Sequence, residues 1–106
     1  MKKKIINFSY ISLVLIILFS QNIKADEMFD LGKNIFSQKG NCVMCHTLAA
    51  AGSGGSVGPN LDEIKPNMIM VVNVVTNGRG VMPAYARQLS EKEIKAVAHY
   101  VSASVR

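Results

Sequence analysis

The chain has 106 residues, with twelve Lys and Arg against seven Asp and Glu, two cysteines, two histidines and no tryptophan. That length holds one domain, and a domain this small buries too little apolar surface to stand alone without a staple, a metal or a bound group. The formal charge of +5 would suit a nucleic-acid partner, but four of those five charges lie in the first 25 residues, which excludes that reading.

Lys2, Lys3 and Lys4 are followed by an apolar run whose densest part is Ile11 to Phe19, and then by polar Gln21-Asn22-Ile23-Lys24-Ala25-Asp26. This is the pattern of a secretory signal peptide, residues 1–25, with Ala25 the last residue removed, although Ile23 is larger than the small residue preferred there. The competing reading is an uncleaved membrane anchor. Ile5 to Ser20 is short for a span, which takes about 20 residues, and Asn7, Ser9, Tyr10 and Ser12 interrupt it. A membrane is a partner only in that second case. Removing residues 1–25 takes away Lys2, Lys3, Lys4 and Lys24 and no acid, which leaves eight basic and seven acidic residues in the mature domain 26–106. No basic cluster with interleaved aromatics survives, so nucleic acid is excluded as a partner.

From Asp26 to Lys39, Met28, Leu31, Ile35 and Phe36 fall on helical spacing, and Gly40 suits the position just past a helix end. Gly32, one turn before Phe36, would let another helix cross closely. Next comes Cys42-Val43-Met44-Cys45-His46, which uses both cysteines and one of the two histidines. CxxCH is the attachment signature of a c-type haem: both thiols add to the vinyl groups of the porphyrin, and the adjacent imidazole becomes an iron ligand. Two intervening residues on a tight turn put both sulfurs on one porphyrin edge. A disulfide or thioredoxin-like pair competes, as does a zinc site of Cys42, Cys45, His46 and His99, but neighbouring Cys45 and His46 diverge too much to share one tetrahedral ion.

Ala49 to Pro59, with glycines at 52, 54, 55 and 58, reads as a loop. It lacks a Gly-Lys-Ser/Thr ending and does not fit GxGxxG, so it is no phosphate cradle; glycine here permits backbone to approach a flat ligand. Lys65-Pro66 opens the next helix, with proline accepted in its first turn, and Met68, Val71, Val72 and Val75 recur at helical spacing. Six of the eight residues from Ile69 to Thr76 are β-branched, which favours a strand, but the alternation is not period two and no partner strand exists, so a helix ending at Asn77-Gly78 is expected. Arg79 to Tyr85 is a loop. Ser90 and Glu93 form a capping box, and Ile94, Val97, Ala98 and Val101 stripe a C-terminal helix that can pair with the first, with His99 beside the stripe.

As a set, these residues resemble the class I cytochromes c in their short bacterial and algal form. The likeness covers nearly all of residues 26–106: Gly32 and Phe36 in the first helix, the CVMCH motif, Val57-Gly58-Pro59-Asn60-Leu61, Val74 to Gly78, Val81-Met82-Pro83-Ala84-Tyr85, and Leu89-Ser90 opening a helix with Tyr100-Val101. It implies an all-α fold in which the terminal helices cross, at Gly32, Phe36 and Tyr100, and short helices and loops wrap one covalent haem c. Cys42 and Cys45 match the thioether anchors, His46 the proximal ligand, Pro59 the proline whose carbonyl accepts a bond from that imidazole, and Met82 the distal ligand. Of the other methionines, Met44 lies in the proximal turn, Met28 in the first helix stripe, Met68 on a core face and Met70 in mid-helix.

His/Met ligation implies a low-spin, six-coordinate haem with a raised potential, and so a periplasmic one-electron carrier rather than an enzyme. Its partners would be redox proteins, such as a membrane oxidase, a cytochrome complex or a periplasmic dehydrogenase, met as a monomer in transient complexes. The alternative is a haem-bearing subunit of a larger oxidoreductase.

Overall fold

The computed structural model describes residues 24–105. The expected signal segment lies outside the described residues apart from Lys24 and Ala25, which are helical. Helix α1 covers residues 24–34 and widens into a π turn over Ile35–Lys39, closed by the Gly40 amide donating to the Ile35 carbonyl at 2.7 Å. Gly40 does so with right-handed backbone (φ −86°, ψ −21°), not the left-handed cap its identity suggests. Its carbonyl and the Cys42 that follows are thereby set against the core, where Ile35 and Phe36 are both buried.

The C-terminal helix α4, Glu91–Ser104, starts at the expected capping box: Ser90 Oγ accepts from the Glu93 amide at 3.1 Å, and Glu93 Oε1 accepts from the Ser90 amide at 2.9 Å. Its stripe of Ile94, Val97, Ala98 and Val101 is buried, and α1 crosses it at Gly32. A Cβ on Gly32 would stand 2.6 Å from the Ala96 carbonyl carbon and 2.7 Å from Tyr100 Cβ, so the helices touch backbone to backbone. Phe29 and Phe36 meet the buried Tyr100 ring at centroid distances of 5.0 and 5.7 Å. Burying Phe36 contributes about 1.5–3 kcal/mol. Lys39 Nζ and Glu93 Oε2, 2.7 Å apart, tie the end of the π turn to the start of α4.

Between these helices the chain departs from expectation in three places. The segment Ala49 to Pro59 is not wholly a loop: β1, Thr47–Leu48, pairs antiparallel with β2, Ser53–Gly54, in the register Thr47↔Gly54 and Leu48↔Ser53. Leu48 is fully buried and pins this hairpin to the core, while the Ala49 amide donates to Asp62 Oδ2 at 2.8 Å. That carboxylate belongs to a short helix α2, Leu61–Ile64, which composition did not reveal; Asn60 caps it and Lys65 ends it at φ 46°. Helix α3, Met68–Asn77, then begins after Pro66, because the Asn67 side chain accepts from the Met70 amide and serves as the cap. The β-branched residues do form a helix. Its core face is Val71 and Val75, packed along α4, while Met68 is 39 % exposed and lies off that face. Apart from the two-residue strands the fold is all-α, and among the described residues no helix is long and apolar enough to cross a membrane.

Candidate functional site

The CxxCH segment is shaped by its flanks. Asn41 takes a left-handed conformation (φ 52°, ψ 37°), which asparagine tolerates better than most residues, and launches a tight 3-10 turn over Cys42–Met44. The Cys45 and His46 amides both donate to the Cys42 carbonyl, at 3.1 and 3.0 Å, so the two cysteines and the histidine leave one compact turn. Neither cysteine is in a disulfide. Cys42 is half-buried, and desolvation pushes its thiol up to about 11, with Cys45 nearby acting in the same direction; it is a neutral thiol at pH 7.

The His46 ring is held from the following loop. Its Nδ1 lies 2.8 Å from the Pro59 carbonyl, and since a carbonyl only accepts, Nδ1 carries the proton, which in the neutral ring leaves Nε2 with a free lone pair. Gly58 permits that contact: a Cβ there would stand 2.6 Å from His46 Cε1 and 2.9 Å from Nδ1. The Gly58 amide donates to the Cys45 carbonyl at 2.7 Å, which locks the loop against the turn.

A second loop arrives from α3. After Gly78, Arg79 and Met82 exchange two backbone hydrogen bonds of 3.0 Å, and the Tyr85 amide donates to the Val75 carbonyl at 2.8 Å. The Tyr85 hydroxyl donates to the Gly40 carbonyl at 3.0 Å. Burial, and then the neighbouring cysteines, push that phenol above its usual range, so it stays protonated through neutral pH. Met82 packs against the core, half-buried.

These pieces face one cavity of about 440 Å³, within the roughly 300–1,000 Å³ of cofactor sites. Cys42, Cys45, His46, Pro59 and Met82, singled out from sequence, all line it, joined by apolar side chains of α3 and α4 such as Val71, Val75 and Val97. The donor set fits haem c: two thiols beside an imidazole with an unprotonated nitrogen, a thioether, and a wall suited to an apolar macrocycle. His99 is not in the lining; it stands edge-on to Phe29 at 6.4 Å. Among the described residues no three of His, Cys, Asp and Glu come close enough to hold a metal ion. Sequence reasoning passed over Arg79, the single formally charged residue in the lining, and the Tyr85–Gly40 bond, which spans 45 positions and leaves no local signal.

The family model described as cytochrome c oxidase, cbb3-type, subunit III matches residues 27–101. The chain belongs to the cytochrome c family. Over 81 residues this cytochrome is 40 % identical to the chloroplastic cytochrome c6 of Chlamydomonas reinhardtii, covering 67 % of its own length and 51 % of that protein, so it spans about half of that relative. It is 38 % identical to the cytochrome c6 of Chlorolobion braunii over 67 % of its own length and 84 % of that protein. Among solved structures it is similar to the c-type cytochrome SorU of Sinorhizobium meliloti, at 48 % identity and a TM-score of 0.72, with 76 % of this chain and 93 % of that one covered. Its cofactor is accordingly haem c, attached through the cysteines of the CxxCH motif, and its class of activity is electron transport.

Proposed function

We propose that this cytochrome is a periplasmic carrier of single electrons, with its haem joined to Cys42 and Cys45 and the iron ligated by His46 and Met82. One observation carries the reading: two thiols, an imidazole with a free nitrogen and a thioether share a single apolar cavity. When bound, the haem supplies a one-electron iron couple. The chain's own residues set the conditions for it. Pro59 holds the His46 ring in the tautomer that leaves Nε2 available and raises its basicity. Met82 offers a soft, uncharged sulfur, which favours the electron-rich state. The lining from α3 and α4 keeps water out, and a fixed ligand set keeps rearrangement small on gain or loss of an electron. Val57, Ile64, Met70 and Val81 line the cavity and are also exposed, giving an apolar rim across which a partner's redox group approaches.

The donor and acceptor are redox proteins of the cell envelope, reached after residues 1–25 direct export and are removed. A retained Met1 in the mass of envelope-derived protein would refute that removal. A second reading, a haem subunit of a larger oxidoreductase, is favoured by the oxidase subunit that the matching family is named for; co-purification of a stoichiometric partner would decide for it.

Met82 is the ligand to test, with Met70 as its rival in the same lining. Met70 stands in the first turn of α3, not in mid-helix as its sequence position suggested, because the helix starts only after the Asn67 cap, and it is 45 % exposed, whereas Met82 is packed against the core. The ferrous wild type is expected to resist carbon monoxide, and the ferric form to show the weak sulfur-to-iron charge-transfer band. Met82→Ala should abolish the band, lower the potential and admit carbon monoxide; Met70→Ala should change none of these. Ready carbon monoxide binding by the wild type, or loss of the band in Met70→Ala, would overturn the assignment.

A further inference from the structure

The loop that carries Met82 has little of its own to hold it in place. Its internal bonds, between Arg79 and Met82, fasten the loop to itself, and Val81 at its tip is 86 % exposed. At its start the Gly78 amide still belongs to α3, donating to the Val74 carbonyl at 2.8 Å. Its far end is different. Tyr85 is tied by its amide to Val75, by its carbonyl to the amides of Gln88 and Leu89 at 2.9 and 2.8 Å, and by its hydroxyl to the Gly40 carbonyl at 3.0 Å. Among the described residues that hydroxyl makes the one side-chain hydrogen bond between the segment 78–88 and the rest of the chain. It lands two residues before Cys42, on the backbone that leads into the CxxCH turn.

We propose that Tyr85 is a positioning residue: its hydroxyl latches the Met82 loop to the CxxCH segment and so holds the Met82 sulfur in the cavity. The inference rests on the reading of Met82 as iron ligand. The latch joins the two segments that supply the candidate ligands, so thermal opening of one against the other must break it. With the hydroxyl gone, the ring still packs and the loop still closes, but its open population rises by the factor one hydrogen bond was suppressing.

Tyr85→Phe in the haem-loaded protein tests this. Carbon monoxide enters the ferrous site only while the sulfur is away, so its binding rate reads the open fraction. The expected rate is about fivefold above wild type, equivalent to about 1 kcal/mol, and the ferric charge-transfer band should fade at a lower temperature. Ile94→Val is the control, since Ile94 is buried in α4 and outside the cavity lining; it weakens the fold and should leave both readouts at wild-type values. An N–H donor restored by 4-aminophenylalanine at position 85 should return the rate toward wild type. The proposal falls if Tyr85→Phe matches wild type in rate and band, or if Ile94→Val accelerates binding equally. A wild type that lacks the band and binds carbon monoxide freely sinks the Met82 reading, and the latch with it. Wild-type resistance with a normal band, combined with an unaffected Tyr85→Phe, sinks the latch alone.

Discussion

Gly58→Ala places one methyl group against the His46 ring, and its effect can be worked from distances. The new Cβ would stand 2.6 Å from Cε1, 2.9 Å from Nδ1 and 3.1 Å from Nε2, whereas ordinary contact begins at 3.4 Å. The ring must therefore retreat by about 0.8 Å at Cε1, a distance packed interiors do not absorb without cost. Nδ1 is among the atoms that must move, and it makes the 2.8 Å bond to Pro59. Nδ1 itself must gain about 0.5 Å to reach ordinary contact, which stretches the bond toward about 3.3 Å, beyond the usual range of a good N–H···O bond, and costs part of the about 1 kcal/mol such a bond contributes. The consequence for function has a definite sign. An imidazole whose acceptor bond is weakened is a less basic ligand, and a weaker donor stabilises the electron-poor ferric state less, so the potential should rise. Potentiometric titration of the haem-loaded variant measures this, with denaturant unfolding alongside. A potential equal to or below wild type, in a variant whose stability has fallen, would refute the claim that Pro59 tunes His46.

Two further outcomes are expected. Gly32→Ala gains about 0.5–1 kcal/mol of helix propensity, but its Cβ meets the carbonyl of Ala96, backbone that cannot rotate away, and overpacking of that kind costs about 1–3 kcal/mol; net destabilisation in denaturant unfolding is expected, and a variant as stable as wild type would show that α1 and α4 can separate freely. The Glu93 carboxyl is held below its ordinary 4.5 by the Lys39 ammonium and then by the Ser90 amide, so its contribution stands above pH 4.5 and is lost as pH falls through the lower folded value. Glu93→Gln retains an acceptor for the cap and should remove that acid-side slope from stability measured between pH 3 and 7, whereas an unchanged slope would assign it to other carboxylates.

What the sequence disclosed follows from the range over which each interaction acts. The capping box at Ser90 and Glu93, the stripe from Ile94 to Val101 and the CxxCH turn are all settled within a few residues, so spacing alone exposes them. Gly32 by itself could have been an ordinary tolerated glycine; it was the resemblance that paired it with Phe36 and Tyr100 at a helix crossing, and its backbone partner Ala96, which lies off the stripe from Ile94 to Val101, was not foreseen. By contrast, α2 depends on the Asn60 side chain capping a single turn and on Asp62 reaching back to Ala49, a pairing across 13 positions that no periodicity carries. The hairpin of Thr47 to Gly54 was hidden because two-residue strands have no alternation to detect, and Leu48 is the one buried apolar residue among them. Proline misplaced the start of α3: Pro66 is acceptable in a first helical turn, but Asn67 supplies an acceptor for the Met70 amide and proline supplies none, so the cap forms one residue later. Met82 and Met70 show both kinds of signal. Both are thioethers bordering one cavity; the resemblance favoured Met82, and the burial of its loop against the exposure of Met70 in its helix turn adds a distinction that only the assembled chain carries.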